Sequence, residues 1–231
     1  MIDLTDFQTA CDEFEKQDTA REEVIKGVRS FQRNGKSAIS AAHAAKIASH
    51  IKFKEAEKLL TKSQNESEVL VKSLFTDDQL RLRWERSFAG ALEEFVEAKI
   101  YVELKKCGID KVDISEQNDE TDQTEKFTGK FTYPEIKTLL GETLGKHLLP
   151  EIYLGAMADV TGELGRWSVN VAMEMRDQSE TVARLRNILA FMQSVSDEFV
   201  NLGFLKKQEA VERNVQKVRN LQICTLNRRK K

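Results

Sequence analysis

Helix breakers are nearly missing from this chain. Its 231 residues include two prolines and 11 glycines, and long windows have no glycine at all. With no convincing run of alternating strand residues, that scarcity excludes a turn-rich β architecture and predicts an all-α protein. Cysteine is equally sparse. Cys11, Cys107 and Cys224 are odd in number and far apart, so neither a disulfide framework nor a zinc motif is present, and a reducing compartment is predicted. No apolar run approaches the roughly 18–20 residues needed to cross a bilayer, so no membrane association is expected. The acidic start, Met1-Ile-Asp-Leu-Thr-Asp6, lacks the apolar segment of a secretory leader, which predicts a cytoplasmic and nuclear protein. The basic tail Arg228-Arg-Lys-Lys231 suits either nuclear import or a frayed, solvated end. A formal net charge of −2 rules out a polycation. Any nucleic-acid binding must therefore use local patches or a partner's charge. P-loop, dinucleotide, zinc and Ser/His/Asp signatures are also absent.

What is present is helical periodicity. Residues from about 4 to 49 form one long helix, loosened at Asn34-Gly35, with Phe7, Ala10, Phe14, Val24, Val28, Phe31, Ile39 and Ile47 inward. Such length suits one wall of a bundle or an interface helix. A second helix covers about 53–74, with Ala56, Leu59, Leu60, Val69, Leu70 and Leu74 inward. Thr76-Asp-Asp-Gln79 resembles a capping box opening a third helix, which runs to Lys106 and stops at Gly108. Residues 109–130 turn polar and acidic and read as a mobile surface loop inside a single domain spanning 1–231. Tyr133-Pro134 opens a short helix. Pro150 starts another that continues to about Met175. Two more cover about 179–202 and 206–227, the last packing through Val211, Val215, Val218, Leu221 and Leu226. The expected architecture is a bundle of six to seven helices with a long first helix and no repeat.

Two of these helices carry acids among small residues. Asp159 and Glu163 are four apart, and Glu94 and Glu97 three apart, so each pair shares a helix face. Gly155, Ala158 and Gly162 flank the first pair; Gly90, Ala91 and Ala98 flank the second. Glycine inside a helix costs about 1 kcal/mol relative to alanine, which a chain accepts where another backbone comes close. The two helices are therefore expected to face each other and gather four carboxylates. Like charges about 4 Å apart repel by about 4 kcal/mol at an effective dielectric of about 20, so protons or a cation must neutralise them. Hard oxygen ligands suit Mg²⁺, Mn²⁺ or Ca²⁺, and a carboxylate-held Mg²⁺ would give the chemistry of a phosphodiesterase or nuclease. The bland alternative is a pair of solvated helix faces. A di-iron bundle needs Glu-x-x-His, but Ser40, Ile47 and Leu144 stand three before His43, His50 and His147, which read as structural or surface residues. Arg81, Arg83 and Arg86 precede Glu94 by two to three turns and are candidates for a backbone phosphate, or for surface pairs with Asp77, Asp78 or Glu85. Arg166 serves either the phosphate or the balance of the acids. Trp84 and Trp167 fit the core better than base stacking.

The chain resembles the translin family. Leu92-Glu-Glu94-Phe-Val-Glu97-Ala98 and Tyr153-Leu-Gly-Ala-Met-Ala-Asp159-Val-Thr-Gly-Glu163-Leu carry the likeness, with the helical plan and the acidic loop between them. The paired glutamates of the first motif resemble the translin-associated factor X (Trax) branch. Leu164-Gly165-Arg166-Trp167 departs from the bulkier continuation usual in that branch. The resemblance implies a translin-like α bundle that assembles with translin, as a hetero-octamer in the family, and binds single-stranded RNA and single-stranded DNA. It further implies a Mg²⁺-dependent endoribonuclease acting in small-RNA passenger-strand removal or tRNA fragment processing. Glu94, Glu97, Asp159 and Glu163 would be its catalytic and metal-holding acids. The competing expectation is a non-catalytic scaffold subunit presenting single-stranded nucleic acid. A weaker one is a regulatory interaction protein built on the first helix.

Overall fold

A computed structural model describes residues 4–44, 50–76, 78–109, 131–174, 177–203 and 205–228. Among these residues there are eight helices and no strand: α1 (Leu4–Ala44), α2 (His50–Thr76), α3 (Asp78–Cys107), α4 (Tyr133–Leu139), α5 (Gly141–Gly145), α6 (Pro150–Glu174), α7 (Gln178–Asn201) and α8 (Leu205–Arg228). None of them is long and apolar enough to cross a membrane. The acidic loop expected at 109–130 lies, apart from residue 109, outside the described residues.

Local chemistry explains most of the boundaries. Gly108, at φ 71°, closes α3; the Gly108 and Ile109 N–H groups donate to the Lys105 and Leu104 carbonyls, the pairing of a left-handed glycine cap. Glu135 accepts from both the N–H and the hydroxyl of Thr132, fixing the start of α4. Asp177 caps α7 by accepting from the Ser179 and Glu180 N–H groups. Thr76 differs from expectation. Its hydroxyl donates back to the Lys72 carbonyl and finishes α2, rather than capping α3.

Pairwise contacts set the helix directions. Gly27 meets Leu70 and Asn34 bonds Glu66, so α1 and α2 are antiparallel. Gly35 meets Glu94, and Lys105 donates to the Ala42 carbonyl, so α3 runs parallel to α1. Lys105 also stands 4.8 Å over the Trp167 ring, and Glu93 meets Gly155. Helix α6 is thus parallel to α3. Asp159–Lys207 and Thr161–Asn214 make α8 parallel to α6, while Gln193–Arg219 and Gln178–Thr225 make α7 antiparallel to α8. The core lies between these rods. Phe31 contacts both Phe95 (centroids 4.8 Å) and Phe88 (6.1 Å), and His147 stacks on Phe75 at 3.9 Å.

Several side chains expected inward are not. Phe7, Phe14 and Val69 are 63–68% exposed, and Leu226 is 38% exposed. Residues 5–23 of α1 are largely exposed. Periodicity marks a stripe on a helix, but burial requires a neighbour, and α1, about 60 Å long at 1.5 Å per residue, outreaches the elements that cover its second half. Nor does Gly35 loosen α1, which is continuous from Leu4 to Ala44. A Cβ at Gly35 would stand 3.2 Å from the Glu94 carbonyl oxygen, so glycine here permits backbone contact between α1 and α3. Gly35→Val should push these helices apart and destabilise the chain by about 1–3 kcal/mol, the usual cost of overpacking, measured by urea unfolding. Wild-type stability in the variant would remove this contact from the account.

A candidate acidic centre where four helices meet

Helices α3 and α6 bring Asp159, Glu163 and Glu94 near enough for their charges to act on Glu97. Glu97 is buried, 7% exposed. Burial, and after it the charges of Asp159, Glu163 and Glu94, push its carboxyl up to about 8, against a small opposing pull from Lys207. A carboxyl at that value carries its proton at neutral pH. Desolvation and like charge act in the same direction, which is the signature of a site short of positive charge.

The other three acids are partnered. Glu163, also buried, lies 2.6 Å from His43 Nε2 and 3.0 Å from Arg166. His43 Nδ1 is 3.1 Å from the Tyr101 hydroxyl. The tautomer that satisfies every atom has Tyr101 O–H donating to Nδ1 and Nε2–H donating to Glu163. Glu94 is 3.1 Å from Lys36 and 3.5 Å from the Gln32 amide. Asp159 accepts from Lys207 at 2.8 Å, and the same ammonium reaches Glu93 and the Gly155 carbonyl. Burial pulls the Lys207 ammonium down, yet its bonds to Asp159 and Glu93 outweigh this and leave it above the ordinary lysine value.

The small residues act differently from expectation. A Cβ at Gly155 would stand inside the Glu93 carboxylate, a side chain rather than a backbone. At Gly162 the nearest neighbour is the Asn214 amide at an ordinary 3.6 Å, and at Gly90 nothing lies within 4 Å. Gly155 makes room for the Glu93–Lys207 pair; the other two glycines are not demanded by packing.

The four acids thus sit at the junction of α1, α3, α6 and α8. Their donor chemistry, hard oxygens from two facing helices around a proton-retaining glutamate, suits a divalent ion. Their present arrangement does not form a cage: among the described residues, no three His, Cys, Asp or Glu side chains are grouped so as to hold a metal ion. Cationic side chains lie against three of the acids instead.

Of the candidate phosphate-binding residues, Arg166 is 73% exposed and paired with Glu163. Arg81 pairs with Asp78 at 3.1 Å, a surface contact worth little. Arg83 lines a hollow with Phe14, Asp18, Arg21 and Trp84, and Arg86 is exposed. Trp167 is buried and Trp84 half-buried against the core. Sequence reasoning missed His43, Tyr101, Lys36, Glu93 and Lys207. The run Ala41-Ala-His-Ala-Ala45 was a signal for His43, since a lone histidine among alanines sits on a close-packed face. Nothing in Leu205-Lys-Lys-Gln208 singles out Lys207.

Comparison with known proteins follows the fold. The family model described as Translin family matches residues 19–223. A crystal structure of AfC3PO has a TM-score of 0.65 at 18% identity, covering 97% of this chain and 99% of that one. An AfC3PO–duplex RNA complex has a TM-score of 0.63 at 18% identity, with 96% and 97% covered. The crystal structure of apo-NeC3PO gives 0.64 at 15% identity, with 97% and 98% covered. None of the curated proteins compared matches the chain.

The sign of the pH dependence follows from Glu97. Its carboxyl stands at about 8 in the fold against an ordinary 4.5, so the folded state holds an extra proton between those values. Its contribution is intact below pH 4.5 and is lost as pH rises toward 8, by up to about 1.4 kcal/mol per pH unit. Glu97→Gln, which fixes the neutral form, should match wild type near pH 4.5 and exceed it increasingly up to pH 8, in chelator and by chemical denaturation. Parallel pH profiles would show that Glu97 ionises normally.

Proposed function

The chain belongs to the translin family, and from that premise we propose that it is a Trax-type subunit: a Mg²⁺-dependent endoribonuclease acting on single-stranded RNA in a hetero-oligomer with translin. The observation that carries this reading is Glu97, buried beside three other carboxylates whose charges, after burial itself, push its carboxyl up to about 8. RNA as the ligand class is supported by the shared fold with AfC3PO, which has been solved with duplex RNA.

Glu94, Glu97, Asp159 and Glu163 would hold Mg²⁺, or Mn²⁺ in its place. Such an ion supplies a nucleophilic water at neutral pH and charge against a phosphoryl oxygen. The protein's own groups do the positioning. His43, held by Tyr101, fixes one Glu163 oxygen, and Arg166 the other. Lys207 holds Asp159 toward α8, and Lys36 holds Glu94 toward α1. Holding such an ion with all four acids would require Asp159 and Glu94 to leave these lysines.

Those same pairs favour a second reading, in which Lys36, Lys207, His43 and Arg166 satisfy the acids permanently and the subunit is a non-catalytic scaffold for single-stranded RNA or DNA. Cleavage of end-labelled single-stranded RNA in Mg²⁺ separates the two, with the chain assayed alone and with a translin partner. The nuclease reading predicts cleavage abolished by chelator and reduced by at least about tenfold by Asp159→Asn, the lower end of the loss seen when even an outer-shell partner of a metal site is changed. Equal cleavage by wild type and variant would remove the acids from the chemistry, and binding without cleavage would leave the scaffold.

A further inference from the structure

Charge along the first helix is sharply divided. Residues 1–23 hold eight acids and two basic residues, whereas residues 24–54 hold seven Lys and Arg and no Asp or Glu. With 38 acids in 231 residues, a window of that size would carry about five by chance. The division falls where α1 enters the bundle, since Val24 is its first buried residue.

The structure lays these residues along a path. Arg29, Gln32, Arg33, Lys36, Ser37 and Ser40 line a shallow groove of about 350 Å³ on α1 with no carboxylate or apolar side chain in its wall. Arg29, Arg33 and Ser37 recur every four residues, about 6 Å of helix rise apart. Both arginines are exposed and make no ion pair among the described residues. Lys36 and Gln32 lie at the inner edge of the groove, against Glu94. Two turns further along the same helix, His43 touches Glu163. An anion lying along α1 therefore meets the unpaired guanidinium groups of Arg29 and Arg33, then Lys36 beside Glu94, and Glu163 two turns further on.

We propose that this face of α1 binds the phosphodiester backbone of single-stranded RNA and leads it to the acidic centre. Arg29 and Arg33 hold the phosphates next to the one that reaches the acids. Guanidinium groups match phosphate oxygens bidentately, and serine hydroxyls such as Ser37 and Ser40 are common phosphate donors. Lys36 marks the step between track and centre, because it can face either Glu94 or a phosphate. The α3 arginines are the poorer route. Arg81 lies beside the exposed carboxylate of Asp78, and Arg83 shares its hollow with Asp18 from the acidic half of α1, so both stand in locally acidic surroundings. The proposal rests on the RNA reading above but not on catalysis.

The test is equilibrium binding of a fluorescein-labelled oligouridylate to the 231-residue chain, by anisotropy, in EDTA to prevent cleavage and over a range of salt. Arg29→Gln/Arg33→Gln should weaken binding by about tenfold or more at low salt and flatten the log–log salt slope by about 1.4, at about 0.7 per phosphate contact. Arg29→Lys/Arg33→Lys should keep most of the slope, and Arg81→Gln/Arg83→Gln/Arg86→Gln should match wild type within about twofold. Both arginines are exposed, so unchanged thermal stability is expected and excludes misfolding as the cause. Wild-type binding that the α1 pair does not affect, or no wild-type binding at all, overturns the track. A change in oligomeric mass with RNA affinity intact overturns it in favour of a protein-docking face. A chain that needs Arg29 and Arg33 to bind but never cleaves contradicts the nuclease reading and leaves the track standing.

Discussion

Repulsion among carboxylates, held in place by helix packing, is the constraint on which this structure turns. Glu97 is largely shut off from water, and its three acidic neighbours raise the cost of its charge further. The protein meets that cost in two ways: a proton stays on Glu97, and side chains from three helices lie against the rest, three of them cationic and the fourth an imidazole N–H. Lys36 and His43 come from α1, Arg166 from α6 and Lys207 from α8. A buried acid without such neighbours would be strongly destabilising.

Topology makes the cluster possible. Helices α1, α3, α6 and α8 run in one direction, with α2 and α7 reversed between or beside them, so the C-terminal end of α1, the middle stretches of α3 and α6 and the first turn of α8 share one level of the bundle. Two close approaches keep them there. Gly35 lets α1 lie against the α3 backbone at Glu94, and Gly155 lets the Glu93–Lys207 pair cross between α3, α6 and α8. Lys105 adds a third tie, capping the end of α1 at Ala42 while stacking over Trp167, a favourable place for a cation at a helix C-terminus.

Much of this was legible in the sequence. Breaker scarcity and three-to-four periodicity revealed the helices, and the i, i+3 and i, i+4 spacings revealed the four acids and their shared faces. Three kinds of feature were not legible, each for a physical reason. The exposure of Phe7, Phe14 and Val69 depends on whether a neighbour covers the stripe, which periodicity does not encode. The roles of Gly35 and Gly155 depend on what stands opposite a missing Cβ. His43 and Lys207 lie 120 and 44 residues from Glu163 and reach the acids only through the parallel packing of α1 and α8 against α6. A lysine in a charged helix turn looks the same in sequence whether it meets solvent or a buried carboxylate.

Carboxylate crowding shows itself most directly in the protonation state of Glu97. A carboxyl-detected ¹³C NMR titration of Glu97, assigned by its loss in Glu97→Gln and recorded in chelator, reads that state directly. A midpoint near 8 is the result that carboxylate crowding requires. A midpoint near the ordinary 4.5 would mean that Glu97 is solvated and the four acids do not share a site.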